Sequence, residues 1–311
     1  MMILLNFIFY LILILGSLIS VAFITLLERK ILGYMQDRKG PNKVGIVGII
    51  QPFSDAIKLF MKENIKLIKV NYIMYYLSPL IGFFLSMLML LSFVNLVNLF
   101  AVEYSLLLFL CYLSMLVYVI MIAGWSSNSN YSMLGGVRAI IQSLSYEVVL
   151  FLIFFCMFMY IESFNLFDYQ MFIYSKLILM NFPLCMIYFF SILADLNRIP
   201  FDFIEGESEL VSGFNTEYMS GSFAMFFLSE YLMILILSMW MSLMMFNSKL
   251  NSFVFIIQVI FFVVMVIFVR GILPRMRYDW MMYFCWYEIL PLVLLFMYML
   301  SIMKYYFHLN F

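Results

Sequence analysis

LNSFVFIIQVIFFVVMVIFV, residues 250–269, holds no charge and stops one residue short of Arg270. As a helix rising about 1.5 Å per residue it is roughly 30 Å long, the depth of a bilayer's hydrocarbon core. Its apolar residues are continuous rather than alternating, so it does not read as a strand of a lipid-facing barrel. Every backbone N–H and C=O in lipid must be satisfied within the segment, and a helix does that.

The same reading extends along the chain. Composition is 67% hydrophobic and 11% charged, with mean hydropathy +1.08, values that a soluble domain of this length does not reach. Apolar runs occur at Met2–Leu27, Val70–Val102, Tyr104–Val137, Ala139–Ile161, Leu177–Ala194, Tyr218–Ser248 and Trp280–Met303; Tyr104–Val137 ends in a polar loop, and the runs at 139–161, 218–248 and 280–303 each enclose one glutamate. The fold class predicted is therefore an all-α integral membrane protein with about eight transmembrane helices in a single membrane domain spanning 1–311. Helices are expected over 2–27, 72–99, 104–125, 138–161, 175–195, 219–247, 250–271 and 280–304. Loops of interest cover 28–70 and 196–218. The first run has neither a basic leading segment nor a small-residue cleavage site, and it reads as a retained helix.

Net charge is zero, so the distribution of charge is what informs. Loops 1, 3, 5 and 7 carry 14 of the 17 Lys and Arg, leaving Lys176, Lys249 and Lys304 on the other side with both termini. By the positive-inside rule the basic face points to the cytoplasm or matrix. On that face, GIVGIIQPFSDAIKLFMKENIK contains an amphipathic helix with Phe53, Ile57 and Phe60 on one side and Gln51, Asp55, Lys58 and Lys62 on the other. Such a helix lies in the interface plane or roofs a cavity. GWSSNSNYSMLGG in loop 3 is rich in turn residues and reads as a solvated connection. RGILPRMRYD in loop 7 fits either positive-inside anchoring or a functional role.

Much chemistry is excluded. The single histidine, His308, cannot build a bis-histidine haem site. Cys111, Cys156, Cys185 and Cys285 stand alone in apolar runs, without metal-site spacing. Neither a P-loop nor a G-x-G-x-x-G occurs, and no internal repeat is apparent. No nucleic-acid partner is expected.

Carboxylates carry the positive signal. Glu147 is the only charge between Arg138 and Glu162, and Glu230 the only one between Glu217 and Lys249. A charged side chain near a helix centre costs about 2.5–3.5 kcal/mol, so such residues are paired or functional. They suit either a structural hydrogen bond to a neighbouring helix or a proton relay. FDFIEGESELVSGFNTEY, residues 201–218, adds Asp202, Glu205, Glu207, Glu209 and Glu217. Glu205 and Glu209 would share one helical face, where like charges oppose each other by about 0.2–0.5 kcal/mol. The apolar neighbours Phe201, Phe203, Leu210, Val211 and Phe214 suggest a loop folded back into the membrane domain.

Five stretches together resemble the NADH dehydrogenase subunit 1 family, the membrane subunit at the joint between the arms of respiratory complex I. They are LLERKILGYMQDRKGPNKVG at 26–45, QPFSDAIKLFMKE at 51–63, IAGWSSNSNYSMLGGVRAIIQSLSYEV at 122–148, NRIPFDFIEGESELVSGFNTEY at 197–218 and VRGILPRMRYD at 269–279. The resemblance covers nearly the whole chain in order. It implies a ubiquinone chamber walled at positions matching Glu28, Arg29, Asp55, Arg198, Phe201, Phe203, Phe214, Arg270 and Arg275. It further implies a proton relay through Glu147, Asp195, Asp202, Glu205, Glu207, Glu209, Glu217 and Glu230. Ubiquinone is then a substrate, with no cofactor or metal bound here. The NADH, flavin and iron–sulfur sites lie in other subunits of the complex, and lipid and those subunits are the partners. The richness in Met, Phe, Ile and Asn resembles AT-rich mitochondrial coding, which implies the inner membrane. A related ion-pumping hydrogenase subunit, a stand-alone proton or cation transporter and a passive anchor are the other readings; the last explains neither Glu147 nor Glu230. Two departures stand out. Asp195 and Leu196 replace the family's usual Glu and Thr, and Glu288 follows Trp286-Tyr287 where the family usually has Lys. For Glu288 a carboxylate paired at a helix interface is expected.

Overall fold

The computed structural model describes residues 2–64, 67–93, 104–159, 162–166, 168, 177–204, 206–246, 248, 250 and 252–309, and among them there is no strand. The helices are α1 (Met2–Met35), α2 (Gln51–Met61), α3 (Tyr72–Leu91), α4 (Ser105–Ser126), α5 (Asn130–Met159), α6 (Leu177–Asp195), α7 (Ser220–Phe246) and α8 (Phe253–Ile272). The last, α9, starts at Tyr278–Tyr283, passes through a π turn at Phe284–Ile289 and continues over Leu290–Leu309. All except α2 and α6 are long and apolar enough to cross a membrane, which makes seven candidate spans. The eighth expected crossing corresponds to α6, whose side chains are described from Phe182 onward.

Several helix limits differ from the sequence expectation. The helix expected over 72–99 ends at Leu91, and 94–99 lie outside the described residues. α1 does not end at 27 but runs through Glu28, Arg29 and Lys30 to Met35. Charge ends a lipid-compatible run, but Glu, Arg and Lys are good helix formers, so the backbone continues. α5 begins at Asn130 rather than 138, and most of the Ser/Asn-rich stretch is helix. Only Ser127–Ser129 connect α4 to α5, with Asn128 in the left-handed region at φ 52°. The serines are used internally. Ser129 Oγ accepts from the Ser132 backbone N–H, and the Ser127 and Ser129 hydroxyls both donate to Ser132 Oγ, at 2.6 and 2.7 Å.

The bundle is organised around α7, which packs on α1, α3, α6 and α8. Trp240 is its central side chain, 1% exposed, with the rings of Phe109, Phe93 and Phe154 centred 4.9, 5.1 and 5.2 Å away. Lipid tails are as apolar as leucine, so interior packing and close backbone approach hold such helices together. Small residues permit that approach between α4 and α5, where Gly124 faces Gly136.

A similar approach fixes the acidic segment. A Cβ on Gly135 would lie 2.9 Å from the Phe214 backbone nitrogen and 3.1 Å from Gly213, whereas one on Gly136 would make ordinary contact at 3.5 Å. Backbone atoms cannot yield as a flexible side chain does. Gly135→Ala is therefore expected to cost about 1–3 kcal/mol by overpacking. Gly136→Ala should be nearly neutral. Heat inactivation of the two variants in the assembled protein checks the contrast, and equal heat resistance would contradict it.

Candidate functional site

Glu28 is the centre of the polar interior. α1 carries it past the end of its apolar run to a place where it is 3% exposed. Arg198, from the segment after α6, donates from Nη1 to Glu28 Oε1 at 2.6 Å. Arg270, in the last turn of α8, donates to the same oxygen. Tyr231 of α7 donates its hydroxyl to Glu28 Oε2 at 2.7 Å, and the Arg198 guanidinium sits 4.9 Å from the centre of the Tyr231 ring. Four elements thus converge on one carboxylate. Burial works against the Arg198 charge, but the Glu28 carboxylate outweighs it and, with Tyr231, holds the guanidinium above its already high ordinary range.

Beside this cluster lies a cavity of about 200 Å³, lined by Asn197, Arg198, Asp202, Glu230, Tyr231 and Arg270 among others. Asp202 is buried and accepts from Arg275 Nη2 at 2.9 Å. Arg198 and Arg270 face Glu28 while Asp202 and Glu230 complete the lining, so charges of both signs meet there, which suits a strongly polarised guest in a poorly solvated space. A second cavity of about 70 Å³ lies beside it, lined also by Leu113, Val117 and Met233. It shares Asn197, Glu230, Ile204 and Phe214 with the first and adds Asp195 and Ser143. Glu230 therefore borders both spaces, and its charge is felt by Arg198. At the inner end, Asp195 lies close enough to Glu147 of α5 for their charges to interact. Glu147 Oε1 is buried with no hydrogen-bond partner among the described residues.

The structure distributes the remaining predicted residues unevenly. Phe214 lines both cavities, while Phe201 and Phe203 are packed against Tyr146 and Tyr278 with ring centres 5.8 Å apart in each case. Arg29 and Asp55 pair at 2.5 Å on the exposed side, tying α1 to α2. Phe53, Ile57 and Phe60 of α2 remain largely exposed, although Phe53 meets the Phe23 ring edge-on at 6.2 Å and Phe60 lies beside Gly221. Glu209 is exposed and pairs with Arg138 at 2.5 Å. Glu217 contributes its backbone carbonyl to the Tyr75 hydroxyl at 2.6 Å. Glu205 lies outside the described residues, and Glu207 is described only as the start of the helical turn Glu207–Leu210. The expected crowding of Glu205 with Glu209 falls there too.

Several contributors escaped the sequence reading. Tyr231 follows Glu230 directly, yet its partner Glu28 is 203 residues away. Gln142 Nε2 donates to the carbonyls of both Ala194 and Phe201 at 2.8 Å, pinning the two ends of the segment that carries Arg198. Tyr75 and Tyr218 stack with ring centres 4.3 Å apart and hold the far end of the acidic segment. Burial pushes the Tyr218 hydroxyl up from its ordinary pKa, against hydrogen bonds from Ser126 and Ser78. Nothing local marks these residues.

Fold and site define a class: a multi-pass α-helical membrane protein with a charged cavity at one end of the bundle and half-buried carboxylates leading inward from it. The NADH dehydrogenase family model matches residues 8–301, and the chain belongs to that family. It is 50% identical over 292 residues to a protein of Aedes aegypti named NADH-ubiquinone oxidoreductase chain 1, covering 94% of this chain and 93% of that one. Proteins of the same name from Anopheles gambiae and Apis mellifera ligustica are 50% and 46% identical, over 91% and 94% of this chain and 91% and 96% of theirs.

Proposed function

We propose that this chain is the membrane subunit of respiratory complex I that receives ubiquinone and couples its reduction to proton movement. The observation that carries this reading is the adjacency of the two cavities, with Glu230 lining both. A polar, charge-lined chamber beside Glu28 adjoins a half-buried carboxylate series: Glu230, Asp195 and Glu147. Two-electron reduction of a quinone to the quinol consumes two protons, so negative charge develops on the head group before protonation. Arg198 and Arg270 are placed to stabilise that charge. A change of charge in the chamber alters the field at Glu230, and repulsion between neighbouring half-buried carboxylates passes the change on, because adjacent groups in a poorly solvated space titrate together. The quinone tail needs an apolar bore, for which the outward face of α2 is suited.

On this reading the electrons arrive from redox centres in other subunits, and this chain guides the substrate and transmits its charge. The home is the mitochondrial inner membrane, with the basic loops in the matrix and both termini in the intermembrane space. Isolation from native membranes tests the reading. The chain should co-purify with many subunits and with NADH-dependent quinone reduction that quinone-site inhibitors block. Recovery of the chain alone, moving protons without a quinone, would overturn it.

The entrance gives a milder prediction. The Arg29–Asp55 pair is solvent-screened, with side chains 54% and 33% exposed, so its loss should change stability by about 0–1 kcal/mol. Asp55→Ala is expected instead to raise KM for short-tailed quinones several-fold with kcat nearly kept. Steady-state kinetics against a soluble acceptor that bypasses the quinone serves as the internal control. An unchanged KM would remove α2 from the entry path.

A further inference from the structure

One buried-depth carboxylate has no place in the series described above. Glu288 lies in the π turn Phe284–Ile289 of α9 and is exposed on the outer face of the bundle, so the helix interface expected to pair it is not formed among the described residues. Trp286, Tyr287, Leu292 and Leu295 are exposed around it. Leu292 and Leu295, four and seven residues on, continue its stripe along the helix. Among the described residues no hydrogen bond or ion pair reaches Glu288.

Depth makes this arrangement costly in lipid. Trp280, 69% exposed, follows the polar segment holding Arg275, Arg277 and Asp279. Glu288 is eight residues further, about 12 Å along a helix, which exceeds the reach of a glutamate side chain back to water. Pro291, two residues past the π turn, lacks an N–H and so donates to no carbonyl of the preceding turn. Ionisable groups at such depth are stabilised by a counter-charge or a hydrogen-bond donor rather than by acyl chains.

The donor does not come from a second copy of α9, since Trp280–Met303 holds no Lys or Arg and would bring only another glutamate. Lys304, beyond that run, is occupied with Glu162 at 2.7 Å and with the Met159 carbonyl at 2.8 Å. We infer that the Glu288 face of α9 is the docking surface for a membrane-spanning segment of a different polypeptide, which places a lysine or arginine opposite Glu288. The inference rests on the reading of this chain as one subunit of a larger membrane assembly. The aromatic side chains Trp286 and Tyr287 flank the ion pair and exclude lipid head groups and water from it.

Two measurements decide it. A phospholipid with a photoactivatable diazirine on its acyl chain is added to the native assembly and, separately, to the isolated chain in nanodiscs. Adducts at residues 286–295 should be at least fivefold fewer in the assembly. Equal labelling overturns the inference. In the second measurement, Glu288→Lys should set like charges against each other and release one membrane polypeptide from an otherwise retained assembly, with Glu288→Gln releasing it less. Full retention in Glu288→Lys overturns the inference as well. An intact, quinone-reducing assembly whose Glu288 face is freely labelled by lipid defeats this inference alone. A chain that has no partner subunits defeats both it and the function proposed above.

Discussion

Glu28→Gln should be the most destabilising single replacement in the charged cluster. The amide is nearly isosteric and can still accept from Tyr231, so packing is preserved. What is lost is the carboxylate that accepts from Arg198, whose side chain is 10% exposed, while Arg270, at 36%, retains access to water. Removing one partner of a buried pair leaves an uncompensated charge, at a cost of about 3–5 kcal/mol. We expect assembled, heat-resistant protein to fall several-fold. In the protein that does assemble, quinone reduction should drop at least tenfold, while NADH oxidation by a soluble acceptor is unchanged per assembled complex. Adding Arg198→Gln should recover part of the heat resistance, because the two side chains interact directly and their effects are not additive. If Glu28→Gln retained the parent's heat resistance and KM, the cluster would not be the chamber wall.

Glu147→Gln should have the larger effect on function and almost none on assembly. Glu147 Oε1 accepts no hydrogen bond among the described residues, so an amide breaks no contact seen there. It removes the ability to bind and release a proton. Proton translocation in reconstituted vesicles should fall at least tenfold, with coupled quinone reduction falling alongside it. Asp195→Asn should produce the same phenotype, and the double variant should be no worse than either single one, because links of one series fail together. Normal pumping by Glu147→Gln would remove it from the path. Additive losses in the double variant would mean that Glu147 and Asp195 act separately.

Both predictions depend on features of very different legibility. The isolation of Glu147 between Arg138 and Glu162 is plain in the sequence, and so is the oddity of Glu288. Their surroundings are not. Glu147 borders Asp195, which belongs to another helix, while Glu288 faces outward. A helix of this hydropathy gives little sign of which face turns inward. α7 has apolar residues on all sides and is nevertheless the most enclosed helix, with Leu232, Ile236, Leu237, Trp240 and Met241 all at 2% exposure or less.

The connection between α4 and α5 shows the opposite difficulty. Ser and Asn favour turns because their side chains compete for nearby backbone groups. In GWSSNSNYSMLGG that competition resolves into a helix start, with Ser129 capping and Gly135 admitting the acidic segment against its backbone. Local chemistry allowed both outcomes, and packing selected one.

By itself the sequence determined the solvent, the helical class, the approximate spans and the family. Each of these depends on short-range properties: runs of apolar side chains long enough for a bilayer, charges that end them, and motifs intact in order. Tertiary structure alone decided that Glu28 meets Arg198, Tyr231 and Arg270, which are 170, 203 and 242 residues away. It also decided that Glu230 borders two cavities and that Gln142 pins the Arg198 segment. The physical reason is that hydropathy acts between each residue and a uniform surrounding, whereas ion pairs and cavities act between particular side chains that only helix packing brings together.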